Sequence, residues 1–183
     1  VYKRQVSNGV GGDQSQQYGY SNYAYDPNGY GGMGFETVEV ISENGARKSF
    51  TTYSQNVLDH TVGQPLSNVV SYKIGNTFVD VGTTVNEWNA TVVNGIGLVR
   101  QEDNIYNKID WGLYYTVRLD NTVSESFDLD GSYLSTETTT NEYDPVYGDL
   151  ERLEVVTESA GQTFTKIIDT EFFPNDYQDW ILG

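Results

Sequence analysis

Tight-turn dipeptides recur along this chain at intervals that leave room for little except short strands. Asn44-Gly45, Gly75-Asn76, Asp120-Asn121, Gly131-Ser132 and Ala160-Gly161 each separate two stretches in which apolar and polar residues alternate. Asn44-Gly45 is the strongest hairpin signal, because both central residues of that turn need positive φ. It makes "FETVEVIS" (Phe35–Ser42) a strand and "RKSFTTYS" (Arg47–Ser54) its return. "SNVVSYK" and "TFVDVGTTVNEWN" form a second hairpin around Gly75-Asn76. In "LYYTVRL" (Leu113–Leu119), Leu113, Tyr115, Val117 and Leu119 share one face. Asp120-Asn121 is expected to turn the chain into "TVSESFDLD", and Gly131-Ser132 to turn it again into "YLSTETTTNEY". "LERLEVVTES" returns through Ala160-Gly161 as "QTFTKIIDTEF". No helical period persists beyond a turn or two. The expected fold is all-β, an antiparallel meander of hairpins. "FPNDYQDWIL" is the one place for a helical turn, begun by Pro174-Asn175-Asp176.

Residues 7–34 read as a loop-rich entry crowded with Gly, Asn, Ser and Tyr, with Asp26-Pro27-Asn28-Gly29 as a turn. Tyr18, Tyr20, Tyr23, Tyr25 and Tyr30 fall within it. Exposed tyrosines could stack on sugars or form a protein interface. The preferred expectation is that they pack as plugs over an adjoining sheet.

Charge removes several function classes. The net charge is −16, and residues 101–183 hold 18 Asp/Glu against four Lys/Arg. Such a surface repels phosphate backbones and anionic membranes, so neither nucleic acid nor membrane insertion is expected. There is no cysteine, which excludes disulfides, a thiol nucleophile and thiolate metal sites. No apolar run approaches the ~20 residues needed to span a bilayer as a helix.

Candidate chemistry is sparse. His60, the sole histidine, lies beside Asp59 in "VLDHTVGQP", and no triad or nucleophile-elbow motif accompanies it. It reads as a solvent-exposed loop residue. Asp128, Asp130 and Gly131 in "FDLDGS" resemble the start of a calcium loop, but the position of the closing Glu holds Thr139. An Asp-Gly turn explains them better. A glycosidase needs two carboxylates facing each other across a sugar. Glu125, Asp128, Glu137 and Glu142 alternate with Thr and Ser instead, as a solvated sheet face would. "GYGGMGF" lacks the Lys-Ser/Thr of a phosphate loop and precedes a strand, where a dinucleotide fingerprint should open a helix. Catalytic, cofactor and metal residues are all expected to be none.

Taken in order, several segments resemble the Rhs/YD-repeat family, and within it the toxin-complex B subunits. Gly29-Tyr30-Gly31-Gly32-Met33-Gly34-Phe35 is similar to that family's G-x-G-x-x-G-F segment. It is followed, as there, by a V-x-V strand (Val38, Val40), a turn (Asn44-Gly45) and a segment with Thr52, Tyr53 and Gln55. "TETTTNEYDPVYGDLERLEVVTE" resembles a YD repeat, with Tyr143-Asp144, Gly148, Leu150, Leu153 and Val155; Asp149 stands where Asn often follows the repeat Gly. "NDYQDWILG" is similar to the family's N-W-x-L-G-R segment, cut before its Arg. The resemblance implies an internal segment preceding or entering the YD repeats of a bacterial protein, secreted or at the cell surface. Such proteins wind a long antiparallel sheet into a shell around a C-terminal toxin. The implied role is structural and non-enzymatic. The implied partners are the remaining shell segments of the same chain and a partner toxin subunit. The expected organisation is a 6–34 entry segment and a 35–183 β region with a YD-like repeat near 137–157. The alternative expectation is an extracellular carbohydrate- or host-binding β domain.

Residues 1–5, "VYKRQ", contain two of the ten basic residues. The codons GTG-TAT-AAG-AGA-CAG translate to these five residues, and they resemble a transposon end used to fragment DNA for sequencing. The expectation is that Val1–Gln5 is adapter-derived and that the natural chain begins near Val6. Removing Lys3 and Arg4 takes the net charge from −16 to −18.

Overall fold

Among the described residues, ten strands pair in chain order, each antiparallel to the next, in one sheet. They are β1 (Tyr2–Ser7), β2 (Asp13–Asp26), β3 (Gly31–Ser42), β4 (Arg47–Tyr53) and β5 (Pro65–Ile74), followed by β6 (Thr77–Glu102), β7 (Ile105–Phe127), β8 (Tyr133–Tyr143), β9 (Leu150–Ser159) and β10 (Gln162–Asp169). The computed structural model describes the backbone of residues 2–7, 13–42, 45–102, 105–144 and 149–171. It describes the side chains of residues 15–42, 45–90, 116–144 and 149–171. Asn44, Gly148 and the helical turn expected around Pro174 lie outside the described residues.

The turn chemistry explains the strict succession. Ala160 (φ 50°) and Gly161 (φ 75°) are the two central residues of a two-residue hairpin, closed by the pair Ser159↔Gln162. Positive φ at both positions gives the turn the twist of its flanking strands. At Asp128–Ser132 the amide of Asp128 donates to the Ser132 carbonyl at 2.8 Å, and Gly131 N–H donates to the Asp128 carbonyl at 2.9 Å. Gly131 sits at φ 84°, a conformation costly for a residue with Cβ. The hairpins around Gly45, Gly75 and Gly161 all form where the sequence places them.

Two expectations are corrected. The entry segment 7–34 is not mainly loop. Asp13–Asp26 forms all of β2 and pairs with β3 from Gln17↔Ile41 to Asp26↔Gly31. Its Gly, Asn and Ser are poor strand formers alone, and the ladder to β3 overrides that preference. Asp120-Asn121 is not a turn either. β7 runs straight through it, and the register shifts from Glu87↔Asn121 to Trp88↔Leu119, leaving Asp120 as the extra residue of a bulge. A bulge lets an Asp-Asn pair stay within a strand. Beyond that bulge, among the described residues, β6 and β7 pair only with each other, out to Glu102↔Ile105. The described pairing of β5 with β6 ends at Ser67↔Val85, and that of β8 with β7 at Asn121↔Thr140.

The sheet is one layer thick. Among the described residues no hydrophobic side chain is fully buried, and the buried ones are Ser54, Thr61 and Ser71. One face carries the row Val85↔Val123↔Thr138↔Val156. The opposite face carries Thr84↔Ser124↔Glu137↔Thr157, with a 3.2 Å hydrogen bond between the Thr84 and Ser124 hydroxyls. Val85 remains 54% exposed. A sheet normally gains its stability by burying one apolar face against another layer. Here, among the described residues, cross-strand hydrogen bonds and neighbour contacts stand in for that core.

Candidate functional site

β6 positions Trp88 beside the β4–β5 loop, residues 54–64. The Trp88 indole N–H donates to the Pro65 carbonyl at 2.8 Å, and Asn86 Nδ2 donates to the same oxygen at 3.0 Å. Asn86 is held in turn by the Thr122 hydroxyl at 2.9 Å. The polar edge of the indole is thereby occupied, which fixes the ring. The loop is equally constrained. Ser54 N–H donates to the Gln64 carbonyl at 2.9 Å, Gly63 N–H donates to the Ser54 carbonyl at 2.8 Å, and the buried Ser54 and Thr61 hydroxyls share a 2.8 Å bond. Asn56 Oδ1 accepts from the amides of Leu58 (3.0 Å) and Asp59 (3.3 Å), and its amide donates to the Asp59 carboxylate. Such a side-chain turn replaces backbone hydrogen bonds that a sheet would supply. Between loop and strand lies a cleft of about 570 Å³, lined among others by Asp59, His60, Leu66, Trp88 and Asn89.

His60 lies in this loop at φ 55° and is half-buried, where solvent exposure was expected. Like Asp59, it is among the residues that line the cleft. Trp88 and Asn89 were not singled out from sequence. The available signal was "NEWN", an aromatic flanked by amides inside a run of Thr and Val.

Tyr18, Tyr20, Tyr23 and Tyr25 lie in β2, and Tyr30 in the turn that follows it, rather than plugging over the sheet, which corrects the preferred expectation. Phe35 lies between Tyr20 (centroids 5.0 Å) and Tyr23 (5.3 Å), and Tyr18 stacks on Tyr20 at 6.4 Å. Tyr20, Tyr23, Tyr25, Tyr30 and Phe35 are all exposed, Tyr23 by 58%. The Gly-rich segment beside them also has a physical explanation. Gly29, Gly31 and Gly34 all have positive φ, at 129°, 83° and 82°, and a Cβ at Gly32 would sit 2.6 Å from the Tyr23 hydroxyl, so the exposed Tyr23 ring would have to shift.

The remaining candidates are spent on structure. Asp128 Oδ1 accepts from Leu129 N–H at 2.7 Å, and Asp130 Oδ1 from Ser132 N–H at 2.8 Å. Hydrogen bonds from the Ser132 side chain and backbone hold the Asp130 carboxyl below its usual range. Glu125 and Glu142 face one side of the sheet and Glu137 the other, as the pairs Glu125↔Thr136 and Ser124↔Glu137 require; the expected single solvated face is therefore two faces. Tyr143, the Tyr of the YD-like repeat, donates to the Leu119 carbonyl at 2.9 Å, and Asn141 Nδ2 donates to the same oxygen at 2.8 Å. The bulge at Asp120 frees that carbonyl, and β8 fills the gap. The Arg118 guanidinium lies 5.3 Å from the centre of the Tyr143 ring. Burial first, and then the Asp120 carboxylate, push the Tyr143 hydroxyl above its ordinary range.

No family model matches the chain, and no curated protein matches it. A chain in the crystal structure of TcdB2-TccC3-Cdc42 is similar over 85% of this chain and 12% of that chain, with a TM-score of 0.45 and 9% sequence identity. The chain thus spans about an eighth of that chain's length.

Proposed function

We propose that this chain is a structural β segment of a secreted Rhs/toxin-complex-like protein, part of the wall that encloses a C-terminal toxin. The observation that carries the proposal is the one-layer sheet, in strict chain order, with no hydrophobic side chain fully buried among the described residues. A meander of this kind extends by adding neighbours at its edges, and its faces gain from a surrounding structure. The motif segments also meet in space: Gln55, from the Thr52–Gln55 segment, hydrogen-bonds the carbonyl of Gly34, which ends the Gly-rich segment. The wall reading asks no catalysis of the chain. Sequencing the gene through both flanks tests it. YD repeats downstream, followed by a separate terminal domain, are expected; a gene without further repeats overturns it.

A second reading, an extracellular host-binding surface, is favoured by one observation, the exposed aromatic patch of Tyr20, Tyr23, Tyr25, Tyr30 and Phe35. Exposed clusters of this kind mark interaction surfaces. Replacing Tyr23 and Tyr25 by Ser should abolish adhesion of the protein to host cells; unchanged adhesion removes this reading.

A further inference from the structure

We infer that the cleft at the Asp120 bulge binds a small zwitterion, a ligand carrying both a carboxylate and an ammonium group, of the size of an amino acid or a dipeptide. The site shares no residue with the aromatic patch and does not depend on the wall reading. The bulge builds it. Glu87↔Asn121 and Asn89↔Arg118 are successive pairs on one face of the sheet, and Thr140 of β8 extends the first of them. Asp120 is the extra residue between the two pairs. Asn141 and Tyr143, both fixed by the Leu119 carbonyl, complete the lining. The volume of about 460 Å³ falls in the range of small-ligand pockets.

The charges of this cleft do not pair with one another. The Arg118 guanidinium rests by the Tyr143 ring, 5.3 Å from its centre, and among the described residues no ion pair joins it to Glu87 or Asp120. Arg118 Nε and Asn121 Oδ1 are, among the described residues, the side-chain atoms buried without a hydrogen-bond partner, and both residues line this cleft. Polar groups buried in that way are costly and call for an explanation. One positive and two negative side chains therefore surround the same space. A simple anion meets Glu87 and Asp120, and a simple cation meets Arg118. A neutral ligand strips water from all three charges and pairs none of them. A zwitterion pairs both signs. Its carboxylate takes the planar fork of the Arg118 guanidinium, and its ammonium donates to the carboxylates of Glu87 and Asp120. Asn89 and Thr140, exposed beside them, offer uncharged donors and acceptors to the rest of the ligand. Arg118 and Glu87 both sit on paired strands, and site residues held in place before binding lose little freedom on binding.

The test is calorimetric titration of the full chain with L-alanine, L-alanyl-L-alanine, acetate and ethylammonium at one ionic strength. At least one of the two zwitterions should bind saturably, with a dissociation constant below about 10 mM, and acetate and ethylammonium should bind at least roughly tenfold more weakly. Arg118→Gln and Glu87→Gln should each weaken zwitterion binding at least roughly fivefold. Glu87 is exposed, so Glu87→Gln should keep the wild-type far-ultraviolet circular dichroism spectrum even where Arg118→Gln disturbs the Tyr143 contact. Three results overturn the assignment: no saturable binding by either zwitterion, acetate or ethylammonium binding as tightly as the zwitterions, or zwitterion binding unchanged by Glu87→Gln.

Discussion

The side-chain amide of Gln55 donates to the carbonyl of Gly34 at 3.1 Å, and also to the carbonyl of Asn22 at 2.8 Å. Gln55 follows the end of β4, Gly34 lies in β3 and Asn22 in β2, so one side chain ties three consecutive strands. One of the accepting residues, Asn22, is held at φ 55°, a region that costs a residue with a Cβ. Backbone held in that region persists only where its surroundings fix it. Gln55→Leu should therefore cost about 1–2 kcal/mol, read as a shift in urea midpoint, and Gln55→Glu should cost more because a carboxylate then faces two carbonyls. Equal stability of wild type and Gln55→Glu would show that the clamp does not hold.

Ser71 is the most deeply buried side chain described, at 1% exposure, and its hydroxyl donates to the Asp80 carboxylate at 2.7 Å. It stands at the register shift of β5 on β6. Ser71→Ala should lower stability by about 1–3 kcal/mol, since a charge-assisted bond is lost with little void created. Ser71→Val should be worse, through crowding. Thermal denaturation of the three proteins checks the order.

In the β9–β10 hairpin, Ala160 occupies a left-handed position at φ 50°. Asn tolerates that region better than Ala. Ala160→Asn should raise stability by about 0.5–1 kcal/mol, and Gly161→Val, at φ 75°, should lower it by at least about 1 kcal/mol. Amide exchange across Ser159↔Gln162 should slow in the first variant and quicken in the second.

Tyr143 gives the sheet a pH dependence. Its folded hydroxyl loses its proton later than the ordinary value of 10.0, chiefly through burial. Between those two values the unfolded chain has already ionised while the folded chain has not. Stability from this group is thus complete below about pH 10 and declines as pH rises toward the folded value. Urea unfolding at about pH 9 and pH 11 should show a loss in wild type that is smaller in Tyr143→Phe. An identical loss in both would assign the effect elsewhere.

The fold class was legible because its determinants are local. Asn-Gly, Gly-Asn, Gly-Ser and Ala-Gly turns need particular φ values at one or two residues, and period-two alternation needs only the strand itself, so both are written within a few positions. The exposed side of β2, the bulge at Asp120 and the full length of β6 and β7 were not legible. An Asp-Asn pair reads as a turn until the carbonyl of Leu119 is given partners, and those partners, Asn141 and Tyr143, come from β8. The same holds for the cleft beside Trp88. His60 and Asp59 stand out by residue type, but Trp88 joins them only because β5 begins at Pro65 and the β4–β5 loop lies beside β6. Sequence determined the turns around Gly45, Gly75, Gly131 and Ala160-Gly161, and which residues alternate. Tertiary structure decided which strand continues through a turn signal and which distant polar groups meet, because hydrogen bonds between strands satisfy backbone groups that no local stretch can satisfy alone.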